Sequence, residues 1–403
     1  MIDYKLIETS EQELQENFKH FEDVALFNQE KVLSAFQKNR LALRHFTGTN
    51  GYGYGDDGRD TLNLVVADIF KAEKAICSPT IASGTHALSL CLFGILMPGD
   101  KAVCITGTPY DTLHDIIYGE NIGSLKDYGI EFECINLVDG KIDKNAIKDY
   151  FTKNGAPKMV YMQRSRGYEW RNALSIDEIK EGVDTVKELG FDGCIMLDNC
   201  YGEFIEKREP TEVGVNLLAG SMIKNLGGGI APTGGYIAGD ERYVTLVQNR
   251  LTAPSIGGEV GSYAFGYQYF YQGLFIAPHI VLQAVKGSML FGKVLEKLGY
   301  ETSPKTDELP RDIIRAIKFG NDKDLIKFIQ NIQRNSPIDS HVDALPWAMP
   351  GYVDEVIMAA GCFVQGSSIE LSADAPIKPP YIAYMQGGLT YEHCKLALKN
   401  LNL

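Results

Sequence analysis

The sequence predicts an α/β protein built on a mainly parallel sheet covered on both faces, with a smaller α/β domain at the C-terminal end. Three observations predict it. Short apolar strand candidates recur at 101–105, 131–137, 158–163 and 193–198, and strands buried on both faces read in this way. Helical patterns lie between them, the arrangement of crossover units. The chain has 403 residues, of which 45% are hydrophobic and 23% charged. That is enough for two or three domains of ordinary globular composition.

Residues 1–59 read as a helical arm and a glycine-rich loop, 60–290 as the large domain and 291–403 as the small one. Leu14, Phe18, Phe21 and Leu26 lie at roughly helical spacing within a polar stretch. Four glycines among residues 51–58 exclude a regular element there. Helices are expected at 60–72 and 84–97. Another starts at Ser175-Ile-Asp-Glu178, where the Ser oxygen takes a backbone N–H and the Glu reaches back. Residues 257–273 are dominated by Gly, Tyr and Phe, a core or interface stretch or a loop near a ligand. A helix is expected at 277–298. The Lys-, Asp- and Pro-rich stretch at 299–325 leads into the small domain.

Charge and composition exclude several function classes. Lys and Arg number 39 against 52 Asp and Glu, a net charge of −13, which disfavours nucleic-acid binding. No apolar run approaches the ~20 residues of a membrane span, and residues 1–40 lack the apolar core of a signal peptide. Eight cysteines without a Cys-x-x-Cys pair read as reduced core thiols. A cytoplasmic protein free of membrane is therefore expected. The seven histidines never approach His-Glu-x-x-His spacing, so no metal site is expected.

Two motifs match letter for letter but fail in context. Gly53-x-Gly55-x-x-Gly58 has the dinucleotide fingerprint, which would make the chain a nicotinamide-dependent oxidoreductase. Its preceding segment, 44–48, is a poor strand, and the candidate strand at 75–77 ends in Ser-Pro without a carboxylate. Ser221-x-x-Lys224 matches the start of the penicillin-recognising serine enzymes, without their Lys-Thr-Gly partner.

Four other features carry a consistent chemistry. Ser83-Gly84-Thr85 opens an apolar helix, and free N–H groups at a helix N-terminus bind phosphate. Tyr110 follows the strand at 101–105 and offers a flat face for stacking a ring. Asp198 ends an apolar strand, where a carboxylate needs a cationic partner. Lys224, 26 residues on, lies among small and apolar residues, where an amine's pKa can fall and allow Schiff-base formation. A phosphate cup, a stacking ring, a partner for a protonated pyridine nitrogen and a Schiff-base lysine are the needs of pyridoxal phosphate (PLP).

With these features in view, the chain resembles the methionine γ-lyase-like, aluminium-resistance family (putative cystathionine β-lyases) among the fold-type I PLP enzymes of cysteine and methionine metabolism. The resemblance rests on Gly51–Asp60, Gln163-Arg-Ser-Arg-Gly-Tyr168, Asp198-Asn-Cys-Tyr-Gly-Glu-Phe204, Ser221–Gly235 and Tyr384–His393. It implies an aspartate aminotransferase-like fold and a carbon–sulfur lyase performing β- or γ-elimination on cystathionine, methionine or cysteine. Lys224 would form the internal aldimine and move the α-proton. Asp198 would pair the pyridine nitrogen, Tyr110 would stack on the ring, and Ser83, Gly84, Thr85 and Ser221 would hold the phosphate. In the superfamily an N-terminal loop reaches the neighbouring subunit's phosphate within a homotetramer; here that loop offers Tyr52, Tyr54 and Arg59. The usual C-terminal Arg for the substrate carboxylate is not obvious, and Arg164, Arg166 and Lys378 are the candidates. A non-catalytic, regulatory PLP-binding protein is the alternative from another class.

Overall fold

The computed structural model describes residues 1–349 and 351–403. The chain opens with helices α1 (Tyr4–Glu13) and α2 (Gln15–Lys38), then α3 (Asp57–Ile69), β1 (Lys74–Ser78), α4 (Gly84–Ile95), β2 (Lys101–Cys104), α5 (His114–Tyr118), β3 (Glu131–Cys134), α6 (Lys144–Asn154) and β4 (Met159–Gln163). It continues with α7 (Ile176–Glu188), β5 (Cys194–Asp198), β6 (Leu217–Ser221), β7 (Gly235–Gly239), α8 (Glu241–Leu251) and α9 (Gln268–Lys297). The last part holds β8 (Glu301–Ser303), β9 (Ile314–Lys318), α10 (Asp322–Arg334), β10 (Val356–Ala359), β11 (Ser372–Pro376), β12 (Ile382–Gln386) and α11 (Tyr391–Asn400).

Seven strands form the large sheet in the order β1-β7-β6-β5-β4-β2-β3. Strands β2 to β6 pair in parallel where they meet, and β7 runs antiparallel to both its neighbours. Alternation along each strand divides the side chains between two cores. Val103, Val160, Ile195, Leu197 and Leu218 face one, with α3, α7 and α9. Ala102, Tyr161, Met196, Ala219 and Ile237 face the other, with α4 and α8. Burial on both faces is why these strands read as unbroken apolar runs. The second sheet is antiparallel, ordered β10-β11-β12-β9-β8.

The capping box forms as its sequence predicts: Glu178 N–H donates to Ser175 Oγ, and Ser175 N–H to Glu178 Oε2. The expected strand at 131–137 stops at Cys134. The aromatic stretch differs more. α9 begins at Gln268, not near 277, because Tyr267 and Tyr271 turn inward. Their hydroxyls donate to Asp56 Oδ2 and the Gly58 carbonyl, at 2.8 and 2.7 Å. α9 runs unbroken through residue 290, and the second sheet begins at Glu301. It has the length and mean hydropathy (1.5 over its most apolar window) to cross a membrane, but 67% of that window is buried inside the protein. It is the central core helix, packed on α2.

The glycine loop is closed to a dinucleotide. Gly51, Gly53 and Gly55 all have positive φ, which glycine alone adopts freely. The Asp56 carboxylate caps α3 by accepting from Arg59 N–H at 2.9 Å. That places a negative charge where a pyrophosphate would have to sit. A Cβ on Gly58 would lie 2.4 Å from the Tyr267 ring. The nicotinamide reading of this motif is thereby corrected: it is a capped helix start packed under α9.

Candidate active site

Parallel strands bring their carboxyl ends to one edge of the sheet, the place where α/β proteins bind ligands. Gln163 ends β4, Asp198 ends β5 and Ser221 ends β6. The second sheet closes over this edge. Two adjoining hollows between the sheets share Tyr110, Tyr201, Lys224, Asp374 and Gln386. Ser83, Gly84, Thr85 and Ser221 line one of them, and Asp198, Gln163 and Tyr168 the other.

The first hollow has a cup at the α4 N-terminus. Ser83 caps the helix, its Oγ accepting from His86 N–H at 3.0 Å. A Cβ on Gly84 would lie 3.3 Å from Ser221 Cβ and 3.6 Å from Cys200 Sγ. Glycine thus leaves a cradle between α4 and the end of β6, with the first-turn amides of a 12-residue helix at its floor.

Asp198 is 6% exposed and accepts from Cys200 N–H at 3.0 Å. It makes no ion pair among the described residues. Burial raises its pKa, with Lys224 opposing. Lys224 Nζ lies 4.1 Å from the centre of the Tyr201 ring. Sequence context suggested an apolar setting that lowers the amine's pKa; the structure corrects this. Burial does pull it down, but acidic groups around it (Cys200, Tyr201, Asp198 and Glu203) outweigh burial, and the net direction is up. Tyr110 is half-buried, with its backbone N–H on Gln163 Oε1 at 2.7 Å and its hydroxyl 2.7 Å from that of Tyr352.

A buried network fastens the segment carrying Lys224. Asn225 Nδ2 donates to the carbonyls of Tyr201 and Glu203, at 3.0 and 3.1 Å. Tyr236 Oη donates to Glu203 Oε1 at 2.6 Å. Burial lifts the Glu203 pKa to about 7, against the pull of Tyr236 and Lys224. Tyr201 and Phe204 hold positive φ of 70° and 63°. Such strain in bulky residues gathers at functional sites.

Seven sequence candidates therefore meet: Ser83, Gly84, Thr85, Tyr110, Asp198, Ser221 and Lys224 all line the paired hollows. Six do not. Tyr52 and Tyr54 are 72% and 68% exposed on the glycine loop. Arg59 is buried, donating to the Gly53 carbonyl at 3.1 Å and to Asp60 at 2.8 Å. Arg164 is 1% exposed and spent on Leu174, Asn199, Gly202 and Glu206. Arg166 is fully buried, donating to Ser303 and lying 3.8 Å from Asp312. Lys378 is exposed and paired with Asp354 at 2.6 Å. These geometries correct the assignment of Arg164, Arg166 and Lys378 to substrate: each is turned to other partners and none lines the hollows.

Sequence reasoning missed Tyr201, Asp374, Tyr168, Tyr352 and Gln386. Tyr201 and Tyr168 lay within the motifs at 198–204 and 163–168. Gln386 lay within the stretch at 384–393; Asp374 gave no signal, because only the second sheet's fold brings it to Lys224. Asp374 accepts from Tyr168 Oη and, at 3.1 Å, from Gln386 Nε2. Burial raises its pKa to about 6.

Comparison with known proteins gives the family and the fold. A family model described as methionine gamma-lyase matches residues 3–402. The chain belongs to the methionine gamma-lyase family. It is 48% identical to a Clostridium acetobutylicum structure named "putative cystathionine beta-lyase involved in aluminum resistance", covering 98% of this chain and 94% of that one, with a TM-score of 0.95. A carbon-sulfur lyase involved in aluminum resistance from Clostridium novyi NT is 49% identical, with the same coverage and a TM-score of 0.94. An uncharacterized Bacillus subtilis (strain 168) protein, YnbB, is 48% identical over 94% of this chain and 91% of its own. The fold also matches a pyridoxal-5'-phosphate-dependent Escherichia coli protein at 16% identity and a TM-score of 0.62, over 93% of this chain and 95% of that one. The fold is that of the fold-type I PLP-dependent enzymes.

Proposed function

We propose that this protein is a PLP-dependent carbon–sulfur lyase that eliminates a thiol from a sulfur amino acid of the cystathionine, methionine or cysteine class. The observation that carries the reading is the meeting, in one cleft, of a helix-terminus cup, a buried unpaired carboxylate and a half-buried lysine. The residues fit the cofactor. The Gly84 cradle with Ser83, Thr85 and Ser221 suits its phosphate, Asp198 its pyridine nitrogen, Tyr110 its ring face and Lys224 its aldehyde carbon.

When bound, PLP supplies an electron sink for the charge left at the substrate α-carbon. Lys224 Nζ is the group that takes the α-proton, and it can return a proton to the departing sulfur. An ammonium cannot act as a base, so its surroundings matter. When Asp198 pairs with a ring nitrogen, one charge that keeps Lys224 protonated is neutralised, which moves the amine toward its free form. The second sheet lies over the cleft and supplies Asp374 and Gln386 to its wall. Tyr54, exposed on the glycine loop, would reach the phosphate of a neighbouring copy in a homotetramer; Arg59 would first have to leave Gly53 and Asp60.

The test is the near-ultraviolet and visible spectrum of the PLP-loaded protein before and after borohydride, with a peptide map of the trapped adduct. A reduced adduct on Lys224, and thiol release that Lys224→Ala abolishes, are the expected results. A protein that stays colourless with added PLP, or a Lys224→Ala variant that still turns over, would sink the proposal.

A further inference from the structure

Hydroxyl, aromatic and sulfur groups dominate the lining of the paired hollows. Only three charged side chains join them among the described residues: Asp198, Lys224 and Asp374. Under the lyase reading, on which this inference rests, Asp198 and Lys224 are committed to the cofactor. The one charge this chain leaves for the substrate is the carboxylate of Asp374.

That carboxylate is built to receive a cation. Asp374 lies on β11 and borders both hollows, opposite the segment that carries Lys224. Each oxygen is held by one neutral donor, Tyr168 Oη and Gln386 Nε2. A carboxylate has about four acceptor sites, so two remain free. No Lys, Arg or His pairs with it within ion-pair distance among the described residues. The fixing is itself supported: Tyr384 Oη donates to the Tyr168 carbonyl, and Tyr384 stands opposite Asp374 in the β11–β12 register. The rings of Tyr110, Tyr168 and Tyr352 cluster beside it, with centroids 5.6 to 6.1 Å apart. Their faces favour a cation as well.

We propose that Asp374 recognises a positively charged group on the substrate side chain, so that the site prefers thioether amino acids whose side chain ends in an ammonium over those that end in a methyl. The α-amine of such a substrate goes to the position of Lys224. Its side chain then lies in the rest of the hollow, where Asp374 is the remaining charge.

L-Ornithine and L-norleucine test this, because they share one shape and differ by an ammonium against a methyl, and neither carries a leaving group. Their binding to the PLP-loaded protein is measured by calorimetry, for the wild type and for Asp374→Asn, which keeps the side chain's shape. The wild type should bind ornithine at least roughly tenfold more tightly, and Asp374→Asn should bring the two affinities together. Thiol release from S-(2-aminoethyl)-L-cysteine and S-propyl-L-cysteine is followed in parallel. Equal wild-type binding of ornithine and norleucine overturns the inference without any variant, and so does a preference that survives Asp374→Asn. A binding preference in a protein that releases no thiol supports the role of Asp374 and removes the lyase reading instead.

Discussion

Arg164 lies in a motif that carries the family resemblance, yet its geometry is that of a strut. In Arg164→Met the apolar stem stays and the guanidinium goes. Four hydrogen bonds disappear: to the Leu174 carbonyl at 3.2 Å, Asn199 Oδ1 at 3.0 Å, the Gly202 carbonyl at 2.8 Å and Glu206 Oε2 at 2.8 Å. Removing one partner of a buried pair costs about 3–5 kcal/mol. Glu206 keeps Ile176 N–H at 2.9 Å and Arg311 at 3.5 Å, which places the loss toward the lower part of that range. An unfolding entropy of about 2.1 cal/mol/K per residue over 403 residues turns about 3–5 kcal/mol into a fall in Tm of about 4–6 °C. The assay is a thermal melt of the PLP-loaded variant beside calorimetric binding of an unreactive amino acid. Substrate affinity should hold once the protein is folded. Gly202→Ala should reproduce the destabilisation, because its Cβ would lie 2.3 Å from Arg164 Nη1. An Arg164→Met protein with an unchanged Tm and a roughly tenfold weaker grip on the amino acid would refute the reasoning and return Arg164 to the substrate.

Two further predictions concern the core of the site. Glu203 has its pKa raised by burial from 4.5 to about 7, so the native state holds a proton that the unfolded chain has already released. Stability should therefore fall as pH rises from about 4.5 to about 7, by about 3 kcal/mol, and Glu203→Gln should flatten that fall in denaturant melts; parallel curves for the two proteins would exclude it. Gly84→Val fills the cradle against Ser221 and Cys200. It should weaken PLP binding at least roughly tenfold in a titration of the apoprotein while the far-ultraviolet circular dichroism stays unchanged, and undiminished PLP affinity would mean the phosphate sits elsewhere.

The legible parts of this chain are those written locally. Helix α7 announces itself because Ser175 and Glu178 satisfy each other's backbone groups within one turn. The parallel strands announce themselves because both faces are buried, so no polar alternation intrudes. Small residues before α4 and a carboxylate ending β5 are equally local. The start of α9 was hidden, since Tyr267 and Tyr271 look like loop residues until Asp56 and Gly58, more than two hundred positions earlier, accept their hydroxyls. The dinucleotide motif matches in its letters alone for the same reason: its three glycines describe a backbone path, and what the path approaches is set by Tyr267.

By itself, then, the sequence determined the layered α/β class, the central strands and the helix caps, along with the order of Ser83-Gly84-Thr85, Tyr110, Asp198 and Lys224. These follow from periodicity and from groups satisfied within a few residues. Only the tertiary structure decided which charges are free. It consumed Arg164 and Arg166 in buried bonds, paired Lys378 with Asp354 on the surface, and carried Asp374 across from the second sheet to face Lys224. The physical reason is that a charged side chain takes whichever partner the fold brings within hydrogen-bond reach. That choice depends on contacts 24 to 206 residues apart in the chain, which no local pattern records.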